Sequence, residues 1–159
     1  MRTIVPLLGL LAVTVPAALA SNTANQTVTF EVSAINQISV SGNPAALTVS
    51  TATAGSEPDE VTDASTTYNI TTNGSSKKIT GVLDSAMPSE VTLKVNLTAP
   101  TGASSAGDVT LSATAQNLVT GITKKAEGTK GITYKLSATV AAGVVSSDTR
   151  TVTLTVTDG

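Results

Sequence analysis

The chain has 159 residues, with no Cys, His or Trp, a formal net charge of −2, and Phe30, Tyr68 and Tyr134 as its aromatic residues. This composition excludes disulfide staples and removes the side chains that most often act as catalytic bases, redox centres and transition-metal ligands. The mild acidity argues against a nucleic-acid partner, and the basic pairs Lys77-Lys78 and Lys124-Lys125 have no aromatic neighbours for base stacking, so they read as solvated turn charges.

Arg2 precedes an apolar stretch at residues 4–19, and Ala18-Leu19-Ala20 places small residues where signal peptidase cuts. Residues 1–20 are therefore expected to be a signal peptide, and the exported chain to begin at Ser21. Pro6 and Pro16 interrupt the apolar stretch. No later segment reaches the ~20 apolar residues of a spanning helix, so no membrane span is expected in the mature chain. Without Arg2, eight basic residues face eleven acidic ones, a net charge of about −3. The remaining length, about 139 residues, suits a single domain, 21–159, with an ordinary core.

The first alternating run covers residues 26–40, where Val28, Phe30, Val32, Ala34, Ile38 and Val40 all fall on even positions after a polar stretch at 21–25. Two readings fit it. The run is the first strand of the protein's own sheet, bent near Asn36-Gln37, or residues 27–32 form a donor strand that completes a neighbour's groove. Strand addition of the second kind joins main-chain hydrogen bonds to pockets for alternate side chains. Val28, Phe30 and Val32 would then be the subunit-interface residues, within an extension spanning 21–33.

Gly42-Asn43-Pro44 breaks the first run, and weaker strand patterns cover 46–50, 66–72, 78–83 and 109–115. Residues 54–60 read as an exposed loop, continued by 61–65. The clearest strand is 91–97, where Val91, Leu93, Val95 and Leu97 alternate with Thr92, Lys94 and Asn96. Ile132, Tyr134, Leu136, Ala138 and Val140 repeat the pattern, and Val152, Leu154 and Val156 do so in the last strand. Asn73-Gly74, Pro100-Thr101-Gly102 and Ser147-Asp148 supply turn chemistry between runs. Thr and Ser make up roughly a third of the mature chain, no segment shows a sustained helical period, and β-branched residues are dense. About eight strands at spacings near a dozen residues predict an all-β fold, an immunoglobulin-like β-sandwich. A closed barrel of the same strand count stays open at this point.

Sites for chemistry are few. Glu57, Asp59, Glu60 and Asp63 could offer oxygen ligands to Ca2+, but they lack the ordered ligand series and glycine turn of an EF-hand, and a solvated loop is the expectation. A paired-carboxylate glycosidase would want an aromatic sugar platform beside the pair, and none is evident. Ser75-Ser76-Lys77, and Ser85 with Lys78, are too generic for a Ser-Lys nucleophile. No catalytic residue, cofactor or metal is assigned, and an enzyme is not expected. The Asn-x-Ser/Thr matches at Asn25, Asn69, Asn73 and Asn96 are expected by chance in so Thr- and Ser-rich a chain.

The alternating start at 27–32, Gly42-Asn43-Pro44, Tyr68 followed by Thr71-Thr72-Asn73, Lys77-Lys78-Ile79, Leu83-Asp84, Met87-Pro88, the run 111–115 and a terminal strand occur in an order that resembles the major subunits of bacterial chaperone-usher fimbriae of the alpha class, the colonisation-factor pilins. The resemblance implies an incomplete immunoglobulin-like fold whose residues near 27–32 are donated to the next subunit of a rod. It further implies self-association into a filament, a periplasmic chaperone and an outer-membrane usher as partners, and passage through the periplasm to the cell surface. The competing expectation is a monomeric extracellular module that binds carbohydrate, calcium or a protein through loops such as 57–63 and 101–108.

Overall fold

The computed structural model describes residues 22–159, so the expected signal peptide and Ser21 lie outside the described residues. The chain divides into two units, Met1–Val32 and Ser33–Gly159, and every strand among the described residues belongs to the second. The described residues form nine strands: β1 (Asn36–Val40), β2 (Val61–Thr72), β3 (Lys77–Leu83), β4 (Val91–Leu97), β5 (Ser104–Ser105), β6 (Val109–Thr110), β7 (Gln116–Ile122), β8 (Lys125–Ala138) and β9 (Val152–Asp158). They make two antiparallel sheets, ordered β1-β2-β8-β4-β6 and β5-β7-β3-β9. The fold is an all-β sandwich, and the barrel alternative is set aside because the sheets do not close on each other.

Alternation drives this arrangement. Leu93, Val95 and Leu97 of β4, Ile79 and Leu83 of β3, Tyr68 and Ile70 of β2, and Ile132 and Tyr134 of β8 all turn inward and are buried, while their polar neighbours face out. Gly81 of β3 stands where a Cβ would lie 2.7 Å from Leu118 Cδ1 and 3.2 Å from Leu111 Cδ2, so the absent side chain lets the two leucines cross the strand. Tyr68, fully buried, donates its hydroxyl to Thr98 O at 2.7 Å, which satisfies the one polar atom that its ring brings into the core. Register shifts interrupt the β2–β8 pairing between Asp63 and Thr66 and between Tyr68 and Ile70, which lets two long strands bend around the core.

Several sequence expectations need correction. Residues 61–65 are not loop but the start of β2. Pairing with β8 holds them there, because Val61 and Asp63 lie opposite Leu136 and Tyr134. Residues 46–50 form no strand, and nearby only an isolated bridge joins Ala52 to Pro58. The run 109–115 shrinks to two residues of β6, and β7 at Gln116–Ile122 was not expected, since Gln116, Asn117 and Gly121 blur its alternation. Val140 falls beyond β8 in a 3-10 turn, Val140–Ala142. Lys77, Lys78 and Lys125 lie in strands rather than turns, and Lys77 is ion-paired with Asp158 across β3 and β9. Only Asn36–Val40 of the first run is a strand.

With β1, β2, β3, β4, β8 and β9 read as strands A to F of an immunoglobulin-type sandwich, the order β1-β2-β8-β4 reproduces A-B-E-D, and β3-β9 reproduces C-F. That architecture adds a final strand, G, beside F. Among the described residues no strand pairs with the outer edge of β9.

Candidate functional site

A groove runs between the two sheets along the unpaired edge of β9. Pairing registers fix its orientation. Asn36 lies opposite Thr72, Lys125 opposite Thr72 and Lys77 opposite Asp158, so β1 and β8 begin, and β9 ends, at the same end of the sandwich. From that end β8 runs away and β9 runs back toward it. β1 is only five residues long and stops at Val40, opposite Tyr68, so beyond that point nothing flanks the inner face of β2 and β8 on this side except the irregular chain after Ser41.

Burial along the floor follows directly. Ile132 of β8 and Leu97 of β4, paired with each other, are fully buried. The next inward pair, Tyr134 and Val95, and then Leu136 and Leu93, become progressively more accessible on the β8 side, and the last pair, Ala138 and Val91, is half-exposed. The walls are equally incomplete. Ile38 and Leu47 on one side and Val152, Leu154 and Val156 on the other are apolar, inward-facing and only half-buried. Two adjoining clefts of about 780 and 610 Å3 share Leu47, Met87, Leu136, Asp148 and Arg150 and together trace the groove.

Its lining is almost free of charge. The exceptions among the described residues are Asp148 and Arg150, which neutralise each other through a 2.6 Å ion pair. Arg150 Nη1 also donates to Thr149 O and its Nε to Ala86 O at 3.0 Å, so the pair ties the chain before β9 to the loop after β3. The guanidinium hydrogen bond holds the Asp148 carboxyl below its ordinary value, and burial pushes the Tyr134 phenol up. Among the groove-lining residues, Thr66 carries a buried side-chain oxygen, Oγ1, without a hydrogen-bond partner. An apolar channel flanked by the one-sided edges of β1 and β9 can accept an extended segment with apolar side chains on one face.

Residues 22–35 carry no strand, and Val28, Phe30 and Val32 are 76%, 88% and 79% exposed. A single large apolar side chain on a surface is ordinary; three on successive inward positions of an alternating segment are not. At the junction Asn73 fixes the chain: its Oδ1 accepts from Ile35 N and its Nδ2 donates to Ser33 O, both at 2.8 Å.

The four loop carboxylates do not converge. Glu57 accepts from Val140 N at 2.6 Å, Glu60 is 3.6 Å from Lys94 Nζ, and Asp63 accepts from Ser65 N and Oγ, which lowers its pKa. No group of residues suited to a metal ion occurs among the described residues. In the other candidate loop, Thr101 N bonds to Glu127 and Asp108 pairs with Lys135 at 2.6 Å. Both loops spend these polar groups on the scaffold. Asn69, Asn73 and Asn96 likewise use their amides within the fold, through Thr129 N, the 33–35 backbone and Asp108. Lys77 faces Asp158 rather than a serine, and Ser85 bonds to Asp84. No helix among the described residues is long and apolar enough to cross a membrane.

Thr66 and the open edge of β9 escaped the sequence reading. A single Thr in so Thr-rich a chain carries no signal, and an unpaired edge exists only once all pairings are known. Comparison with known protein families, characterised proteins and solved structures finds no match for the chain.

Proposed function

We propose that this protein is an exported structural subunit of a bacterial surface filament, assembled by donor-strand complementation and supporting adhesion, as its resemblance to chaperone-usher pilins implies. The observation that carries the reading is that one chain holds both halves of a joint: a groove where the last strand of an immunoglobulin-type sandwich would lie, and an exposed segment alternating at Val28, Phe30 and Val32. Residues 27–32 of one copy enter the groove of the next. Burying each of the three side chains contributes about 1.5–3 kcal/mol, and the edges of β1 and β9 add main-chain hydrogen bonds. Because groove and strand are different surfaces, the contact is heterologous, and repetition gives an open fibre rather than a closed dimer. An apolar groove of this kind needs cover before assembly, a role suited to a periplasmic chaperone, with an outer-membrane usher ordering the addition of subunits.

The test is expression of the full chain together with its neighbouring genes, followed by electron microscopy and sizing. Wild-type protein should form filaments. Phe30→Asp should abolish them while leaving monomer melting unchanged, because Phe30 is exposed in the subunit but its carboxylate replacement would be buried in the joint. A protein that stays monomeric under these conditions, with residues 27–32 protected from hydrogen exchange, would defeat the proposal.

A further inference from the structure

Among the described residues, Thr66 is the one groove residue with a buried side-chain polar atom that lacks a hydrogen-bond partner. It sits on the inner face of β2 opposite Ile132 and is 4% exposed; the residue lines the groove, and its buried Oγ1 has no hydrogen-bond partner. A buried hydroxyl in that state is costly, and whatever fills the groove gains by pairing with it. The inward face of the extension reads Asn22, Ala24, Gln26, Val28, Phe30, Val32, so one amide immediately precedes the apolar triplet.

Resting on the strand-donation reading, we infer that Gln26 of one copy hydrogen-bonds Thr66 of the next, and that this polar pair sets the register and direction of the donated strand. A two-residue step along a strand is about 6.6 Å. With Gln26 level with Thr66 and Ile132, successive steps bring Val28, Phe30 and Val32 level with Tyr134, Leu136 and Ala138, where the floor becomes steadily more accessible. The opposite direction would set them over Tyr68 and Ile70, which the subunit already buries completely. The donated strand therefore runs alongside β8 in the same direction and antiparallel to β9. A slip by two residues in either sense places an apolar side chain against the Thr66 hydroxyl and leaves two polar groups unpaired, so an apolar groove that tolerates many registers is made to prefer one.

The inference is tested on full-length protein with Thr66→Val, Gln26→Leu and both together, reading monomer melting and the rate at which assembled filaments dissociate in denaturant. Thr66→Val removes an unsatisfied hydroxyl from the subunit, so the monomer should melt higher. Its filaments should nevertheless dissociate about tenfold faster, because the buried Gln26 amide loses its partner. The double variant should be markedly less affected than the two single effects multiplied. Gln26 is exposed in the subunit, so its replacement cannot fail merely by unfolding the monomer. Thr29→Val, on the other face of the donated strand, should leave dissociation unchanged. If Thr66→Val strengthens monomer and filament alike, or if the two changes multiply independently, the register is wrong while strand donation stands. If Phe30→Asp assembles as well as wild type, strand donation itself falls and the register falls with it.

Discussion

Asn73 holds Ile35 as a neighbouring strand would: its Oδ1 accepts from Ile35 N at 2.8 Å while its own backbone N–H donates to Ile35 O at 3.2 Å. The same amide reaches Ser33 O, so one side chain and its backbone secure Ser33 and Ile35 where the sandwich begins. On the proposed function, residues N-terminal to this clamp are the donated segment, while those C-terminal to it form β1 (Asn36–Val40).

Asn73→Ala is accordingly expected to fray the start of β1. The loss of two side-chain hydrogen bonds at a partly solvated site should cost about 1–2 kcal/mol. Denaturant melts would show that cost, and amide exchange at Ile35 and Gln37 should accelerate well before exchange in β8. Unchanged exchange at Ile35 would mean that the clamp does not define the junction.

Acid should weaken the domain only at low pH. Lys130, donating to Glu127, and Thr101 N together hold the Glu127 carboxyl down from 4.5 to about 2, and Asp108, Asp148 and Asp158 are lowered by Lys135, Arg150 and Lys77. A carboxylate with a depressed folded pKa stabilises the fold above its unfolded value, and that contribution is lost as pH falls through the folded one. For Glu127 the window runs from about pH 4.5 down to about 2. Urea midpoints measured across that window should fall steadily, and Glu127→Gln should flatten the decline. A midpoint independent of pH there would contradict these pairings.

The two tyrosines give an alkaline counterpart. Burial pushes the Tyr68 phenol up to about 12 and raises that of Tyr134 as well. The unfolded chain ionises first, near the ordinary value of 10.0, so stability is complete below that and declines as pH approaches 12. Ultraviolet titration of the native protein should show less phenolate at pH 10 than the unfolded chain, with Tyr68 ionising only near 12. Tyr68→Phe leaves Thr98 O without this donor and should cost about 1 kcal/mol at neutral pH.

How much of this was legible beforehand depended on how local the signal was. The inward residues of β4, β8 and β9 could be read from period-two alternation, because apolar and polar residues sort cleanly there. Thr62, Asp63 and Ser65 hid the first half of β2, whose strand character comes from pairing with β8 and not from its own composition. Ala46, Leu47 and Val49 look like a strand, yet no neighbouring strand pairs with them, and Leu47 and Val49 form part of a groove wall. The run 26–40 was visible as a unit, and an extension ending at 33 was one of its two readings, but the side chain that marks the boundary was not, since Asn73 lies close to forty positions away.

The last prediction separates head-to-tail donation from any symmetric association. Phe30→Asp disables the donated strand and leaves the groove intact. Val145→Asp does the reverse: Val145 lines the groove beside Ala138 and is 45% exposed, so a carboxylate there is tolerated by the monomer but would be desolvated beneath an incoming strand. Neither variant should polymerise alone. Mixed, the Val145→Asp protein can still give its strand to the Phe30→Asp protein, and the product can grow no further because the only free groove and the only free strand are the damaged ones. Light scattering coupled to gel filtration should therefore find a one-to-one heterodimer. A twofold-symmetric joint needs both surfaces on both partners, so it would give no complex from this mixture. Filaments from either variant alone would show that the groove and residues 27–32 are not the joint.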